Sequence, residues 1–292
     1  VLMVQNAPTL PQTPDQPSIW RIALRNRSVF WGGLMLVIIA IVALIGGLFT
    51  ADPMDINPMS RLKPPGEHGL FGTDQLGRDV FSRVINGARI SLTVGTAVAV
   101  ISIAIGLFLG LVAGYFRYMD ALIMRVMDGL MSIPAILLAI ALISLSGATL
   151  LTVVAAIVIP EIPRVVRLVR SVVLTVREEP YVEAAIAAGT KTWLIMGRHV
   201  LPNTIAPLIV QATYVCGSAM LTEAILGFLG AGIPPEIPSW GNIMSEGRTF
   251  FQLTPWIIFF PGAALAVTVL AVNIVGDGLR DSLDPRIART MR

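Results

Sequence analysis

The chain is 292 residues long, 55% apolar and 13% charged, with a net charge of +3 and a mean hydropathy of +0.78. Soluble domains carry about 25% charged residues, so this composition excludes an ordinary water-soluble domain and makes the bilayer the main solvent. The single cysteine, Cys216, excludes an internal disulfide and reads as a small hydrophobe in an apolar stretch. Apolar residues fall in uncharged blocks near the ~20 residues a helix needs to cross ~30 Å of hydrocarbon, with none of the alternation of barrel strands. The predicted fold class is therefore all-α and polytopic, with the lipid membrane as its first partner.

Residues 1–28 form a polar leader for the cytoplasmic side, with prolines at 8, 11, 14 and 17 that predict polyproline-like disorder. The first membrane helix spans 29–49; its 21 apolar residues exceed a signal-peptide core and predict an uncleaved anchor. An outer segment, 50–89, leads to a five-helix core over 90–277. Its uncharged second block is 90–116, followed by Gly129–Leu145, a hairpin turn, and Leu150–Ile162, which is short unless it continues past Pro160. The fifth block, Ile205–Phe228, contains Glu223, the sixth is Pro255–Val275, and a cytoplasmic tail covers 278–292.

With both termini cytoplasmic, the inner segments hold 15 of the 21 bases, and the outer segments hold six bases against seven acids. This asymmetry follows the positive-inside rule. The basic pI of about 9.4 reflects those inner loops; no basic and aromatic interleaving suggests nucleic acid. Gly106, Gly110 and Gly114 recur every four residues and predict a close-packing seam, within the chain or between subunits.

Enzyme signatures are absent: there is no HExxH, CxxC or GxSxG, and His68 and His199 fall on opposite sides of the membrane. GTKT at 189–192 lacks the first glycine and the preceding strand of a phosphate-binding loop, so any ATP belongs to another chain. No catalytic, cofactor or metal residue is assigned. A carboxylate deep in a span costs about 2.5–3.5 kcal/mol on insertion scales. Glu223 therefore needs a structural partner near the outer mouth or a substrate, and Glu161, between Pro160 and Pro163, is expected at the inner face near Arg164.

The stretch EAAIAAGTKTWLIMGRHVLPN, 183–203, is unusual for such a chain. Pro180 and the acids Glu178, Glu179 and Glu183 suit a helix start, and Gly189 suits its end. Thr190 or Thr192 can cap a second helix that ends at Pro202. The small residues Ala184, Ala185, Ala187 and Ala188 make the first helix thin, and Trp193–Met196 make the second apolar. Such a pair fits a protein groove or the headgroup layer, and physics alone leaves both open.

Glu183-Ala184-Ala185, Gly189, Ile195, His199 and Leu201-Pro202-Asn203 resemble the EAA loop of ABC importer permeases. GTDQLGRDVFSRVINGARISLTVG (72–95), PSWGNIMSEG (238–247) and VGDGLRDSLDPR (275–286) resemble signatures of the C-type permease subunit of dipeptide, oligopeptide and nickel importers. Pro160-Glu161-Ile162-Pro163 departs from that pattern. The resemblance implies a type I importer permease fold with six membrane helices in the bacterial inner membrane and a coupling loop at 178–203. It implies a heterodimer with a B-type permease, one or two cytoplasmic ATPase subunits carrying ATP and Mg, and a periplasmic or extracellular solute-binding protein. The nine residues of the loop motif are then the ATPase contact. Asp74, Arg78, Asp79, Arg83, Glu223 and Trp240 are candidates for outer or pore contacts, with a self-neutralising surface network as the simpler reading of the charged motif. The tail 276–281 is expected to end the last span with caps and ion pairs. The expected substrates are peptides, with glutathione or nickel chelates as alternatives. An ion-coupled transporter acting alone and a purely structural membrane subunit are the other functional classes.

Overall fold

The computed structural model describes residues 26–283; leader residues 1–25 and tail residues 284–292 lie outside this range. The described residues are built from helices: α1 Arg27–Ile45, α2 Val80–Tyr115, α3 Arg117–Met131, α4 Ala135–Ser146, α5 Leu150–Arg177, α6 Pro180–Ala187, α7 Thr192–Ile195, α8 Leu201–Phe228, α9 Trp240–Gly247 and α10 Trp256–Leu283. Four helical stretches are long and apolar enough to cross a membrane, and the bent pair α3–α4 makes a fifth. The end of the molecule where α2 and α5 finish is called the inner end, after the orientation expected from charge, and the opposite end the outer one.

The first predicted block matches α1 with the short turn Gly46–Leu48 after it. Asn26 caps α1 by accepting the Ser28 amide proton at 2.9 Å, and its amide donates to the Gly278 carbonyl at 3.1 Å. The two described ends therefore meet. α10 runs eight residues past the predicted Val275 because Gly276 and Gly278 are packing positions: a Cβ there would strike Thr213 and Val29. The expected ion pairs of Asp277, Arg280 and Asp281 are not formed among the described residues.

Two other expectations need correction, and a third point is one the sequence leaves open. α2 begins ten residues before the predicted Ile90, at Val80, because the Asp79 side chain accepts the Ser82 amide proton at 2.9 Å and caps it there. The third block is broken: α3 and α4 meet at 88° across Ser132–Pro134, since the residue before a proline is driven out of the helical region. The fourth block does pass Pro160, and Pro163 too, giving a 28-residue α5 that starts on a Thr149–Thr152 capping box. Glu161 therefore lies in the middle of α5, not at its inner end.

The glycine seam lies within the chain. Cβ atoms on Gly106, Gly110 and Gly114 would come within 2.5, 2.6 and 2.6 Å of the Cβ atoms of Val165, Val169 and Val173. α2 and α5 thus run parallel with backbones in close approach, the small-residue packing that substitutes for a hydrophobic drive inside lipid. At the inner end Arg170 grips Asp120 at 2.5 Å and Arg167 grips Asp128 at 2.5 Å, holding α3 along α5.

Gly110→Leu should overpack this seam and cost about 1–3 kcal/mol. The expected result is a thermal midpoint lowered by several degrees in detergent, whereas Gly33→Ala, where a Cβ meets nothing within 4 Å, leaves it unchanged.

Candidate functional site

The inner loop is a helix, a glycine turn and a second helix, as its residues predict. α6 opens on Pro180 and closes where Gly189 takes φ +75°. The Gly189 amide donates to the Ile186 carbonyl at 2.9 Å and the Thr190 amide to the Ala185 carbonyl at 3.1 Å. These two bonds form the paired C-terminal closure that a left-handed residue permits.

The second helix differs from expectation at both ends. Lys191 occupies its cap position without a side-chain bond, so neither Thr190 nor Thr192 caps it. Nor does it stop at Pro202. A wide turn over Met196–Val200, in which the Leu201 amide bonds the Met196 carbonyl, leads straight into α8. That extra residue per turn accommodates the proline's missing N–H, and helix runs continuously from Thr192 to Phe228.

The loop's motif residues divide into two sets. Val182 and Ile195 are buried in the core. Asn203 donates to the His199 carbonyl at 2.6 Å and approaches the Tyr181 hydroxyl at 3.4 Å, while the Tyr181 and His199 rings stand 5.8 Å apart. His199 and Asn203 therefore bind the two arms together, and Leu201 and Pro202 begin α8 beside them. Glu183, Ala184, Ile186, Trp193 and Leu194 are exposed, Trp193 at 68%. Ala185 is half-buried.

At the outer end the charged motif folds into a knot. Asp74 accepts the Leu76 and Arg78 amide protons at 2.8 and 3.0 Å and turns the chain. Gly77, at φ +78°, lies so close to the Asn57 backbone that no Cβ fits. Asp74 then takes Arg78 at 2.6 Å and Arg83 at 2.8 Å, and Glu246 of α9 accepts from Arg83 at 2.7 and 2.9 Å and also from Arg78. The network is neutral, but it is buried rather than at the surface and is completed by Glu246 from outside the motif: the Asp74 and Arg83 side chains are both 0% exposed. Asp79 stands apart as the α2 cap, and Arg89 is exposed. The segment is a loop and helix start, not an amphipathic interfacial helix.

Trp240 and Glu223 are interior as well. The Trp240 indole donates to the Val84 carbonyl at 3.0 Å. Glu223 accepts from the Ser91 hydroxyl at 3.1 Å near the outer end of α8, with its other oxygen buried and unbonded. Glu246, Asp120 and Asp128 are structural acids that sequence reasoning passed over. Their arginine partners lie far off along the chain, and no spacing in the sequence points to them.

Fold and loop together define a polytopic helical membrane protein with an exposed two-helix surface at its inner end. Residues 102–289 match the family of binding-protein-dependent transport system inner membrane components. The chain is 54% identical over 93% of its length, and 94% of the relative's, to a probable peptide ABC transporter permease of Sinorhizobium fredii. It is 42% identical to the dipeptide transport system permease protein DppC of Alkalihalophilus pseudofirmus, covering 96% of this chain and 95% of that one. Among solved structures, the MetNI methionine ABC transporter in inward-facing conformations is similar with a TM-score of 0.50 at 19% identity, covering 73% of this chain and 94% of that one. The chain belongs to the binding-protein-dependent transport system inner membrane component family. It is accordingly a multi-pass inner-membrane permease subunit of an ABC transport system, and not itself an enzyme.

Breaking the buried network by Arg83→Met should leave Asp74 and Glu246 short of a partner and cost about 3–5 kcal/mol. Denaturant or thermal unfolding of the purified protein is expected to show that loss, with the exposed Arg89→Met close to wild type.

Proposed function

We propose that this chain is the C-type permease of an ATP-driven peptide importer and works as a heterodimer with a B-type permease. The single observation that carries the reading is the exposed face of the inner loop, Glu183, Ala184, Ile186, Trp193 and Leu194, held rigid by the Gly189 turn and the Asn203 bonds. A thin helix and an apolar companion so braced fit a groove on a partner. In this reading the groove belongs to one or two ATPase subunits, which hold ATP and Mg, and a solute-binding protein delivers the peptide at the outer face. The peptide class is supported by relatives named as peptide, dipeptide and oligopeptide permeases.

Six crossings with both ends inside follow when α5, which packs parallel to the apolar α2 along the glycine seam, is added to the four long apolar stretches and the bent α3–α4 pair; the bond from Asn26 to Gly278 puts the two described ends on one side. Closure of the ATPase pair would push the loop. Because α7 continues into α8, that push reaches the membrane as motion of one helix.

Gentle purification of the tagged chain with mass spectrometry of what accompanies it is expected to recover a second permease and ATPase subunits; recovery of this chain alone would favour an ion-coupled transporter. Gly189→Pro removes the +75° turn, because proline is fixed near −65°, and deletes the amide bond to Ile186. The expected outcome is a normal membrane level with peptide uptake abolished; normal uptake would refute the coupling role.

A further inference from the structure

A cluster of polar residues stands where the middle of α5 meets α8, away from the inner loop and the outer network. The Glu161 side chain is 9% exposed and lies 3.4 Å from the Arg164 guanidinium. Its Oε1 also accepts from the Ser218 hydroxyl at 3.2 Å, while its Oε2 is buried without a partner. The Arg164 side chain is 45% exposed and sits over the Tyr214 ring, 5.9 Å from its centroid; Tyr214 itself is 51% exposed.

The neighbouring arginines are engaged, Arg167 with Asp128 and Arg170 with Asp120, each at 2.5 Å. Among the described residues, Arg164 has only its long contact with Glu161 and the Tyr214 ring. A half-exposed guanidinium in the middle of a membrane helix does not face lipid; such groups line aqueous paths or meet another charge. Pro160 and Pro163 add to the polarity, since each removes the amide proton that would bond the carbonyl four residues earlier, at Ala156 and Ile159. Irregular backbone satisfaction at membrane depth is tolerated where it borders a cavity or a substrate path.

We propose that Glu161, Arg164, Tyr214 and Ser218 form an intramembrane contact site for the charged ends of a passing peptide, Glu161 receiving the terminal ammonium and Arg164 the terminal carboxylate. This assignment rests on the peptide-permease reading. The site sets a nearly buried carboxylate with one unbonded oxygen beside a half-exposed guanidinium, so a ligand with both charges can meet Arg164 at the surface and reach Glu161 as the pair opens; one charged side chain of a neighbouring subunit would satisfy only one of them. The contact is weak by construction, because Glu161 and Arg164 partly satisfy each other when no peptide is present. A site on a transport path has to bind and release.

The test uses the complete complex, this permease with the chains that purify with it, in proteoliposomes supplied with ATP and a defined mixture of free dipeptides read by mass spectrometry. Glu161→Gln and Arg164→Met are each expected to lower uptake at least tenfold, about the factor in binding that one lost hydrogen bond to a charged group represents. Complex yield should be unchanged, and ATP hydrolysis stimulated by the loaded binding protein should stay close to wild type. Arg164→Lys, which keeps the charge, should recover most of the uptake. Uptake unchanged in both uncharged variants overturns the site. Joint loss of uptake, ATP hydrolysis and the second permease also overturns it and assigns the cluster to the contact between permeases. If the wild-type complex hydrolyses ATP and moves no dipeptide, the peptide reading fails and this site with it, a result distinct from transport by wild type and variants alike.

Discussion

The close approach of α2 and α5 is the contact on which the rest of the molecule depends. Three glycines on one face of α2 accept three valines on one face of α5, residue for residue. In lipid, apolar side chains gain little by leaving one hydrocarbon environment for another, so packing at short range supplies the association. The parallel register brings the inner ends of both helices level. Arg177 then reaches the last carbonyls of α2, Gly114 at 3.1 Å and Tyr115 at 3.2 Å, and lies over the Tyr115 ring. Those carbonyls have no amide partner within their own helix, so the arginine satisfies groups that would otherwise face the headgroups bare. The inner loop departs immediately after Arg177, from a point the seam has already positioned.

The outer end is organised by charge. Two carboxylates and two guanidiniums neutralise one another out of water, an arrangement that gains less free energy than apolar residues of the same volume would. What it supplies is geometry, because an arginine fork admits few orientations of its carboxylates. Asp74 arrives from the loop before α2, Glu246 from α9, and Arg83 from the first turn of α2. The knot thus fixes the outer hairpin to the top of the seam. Trp240 and Ser91 continue the same junction downward, with the Trp240 amide 3.4 Å from the Ser91 hydroxyl that also serves Glu223.

What the sequence made legible and what it hid follow one pattern: properties of a single face could be read, and partners across space could not. The four-residue glycine spacing revealed a seam, but the valines opposite are part of a helix rich in valine and carry no mark. Gly189 announced its turn because a positive φ has a residue preference. Pro202 misled, since its missing amide reads as a stop and the wide turn that absorbs it has no composition signature. Pro160 and Pro163 left the length of their helix open; the contacts of α5 along α2 outweigh the two lost bonds, and the helix runs on. The charged outer motif was expected to neutralise itself at the surface, yet both its charge balance and its burial depend on Glu246, 163 residues from Arg83.

The continuity from α7 to α8 has a mechanical consequence. A helix from Thr192 to Phe228 is about 55 Å long at 1.5 Å per residue, so a displacement applied at the loop is carried the full depth of the membrane. Its outer end has little room to absorb that displacement, because Gly227 lies against the backbone of Gly241 in α9 and Glu223 is bonded across to α2. α9 holds Glu246, and Glu246 holds Arg83. Packed elements with no slack move together or shift between discrete arrangements. The inner loop and the outer knot are therefore joined through one continuous helix, and the wide turn before Pro202 is the point along it where the hydrogen-bond ladder changes register.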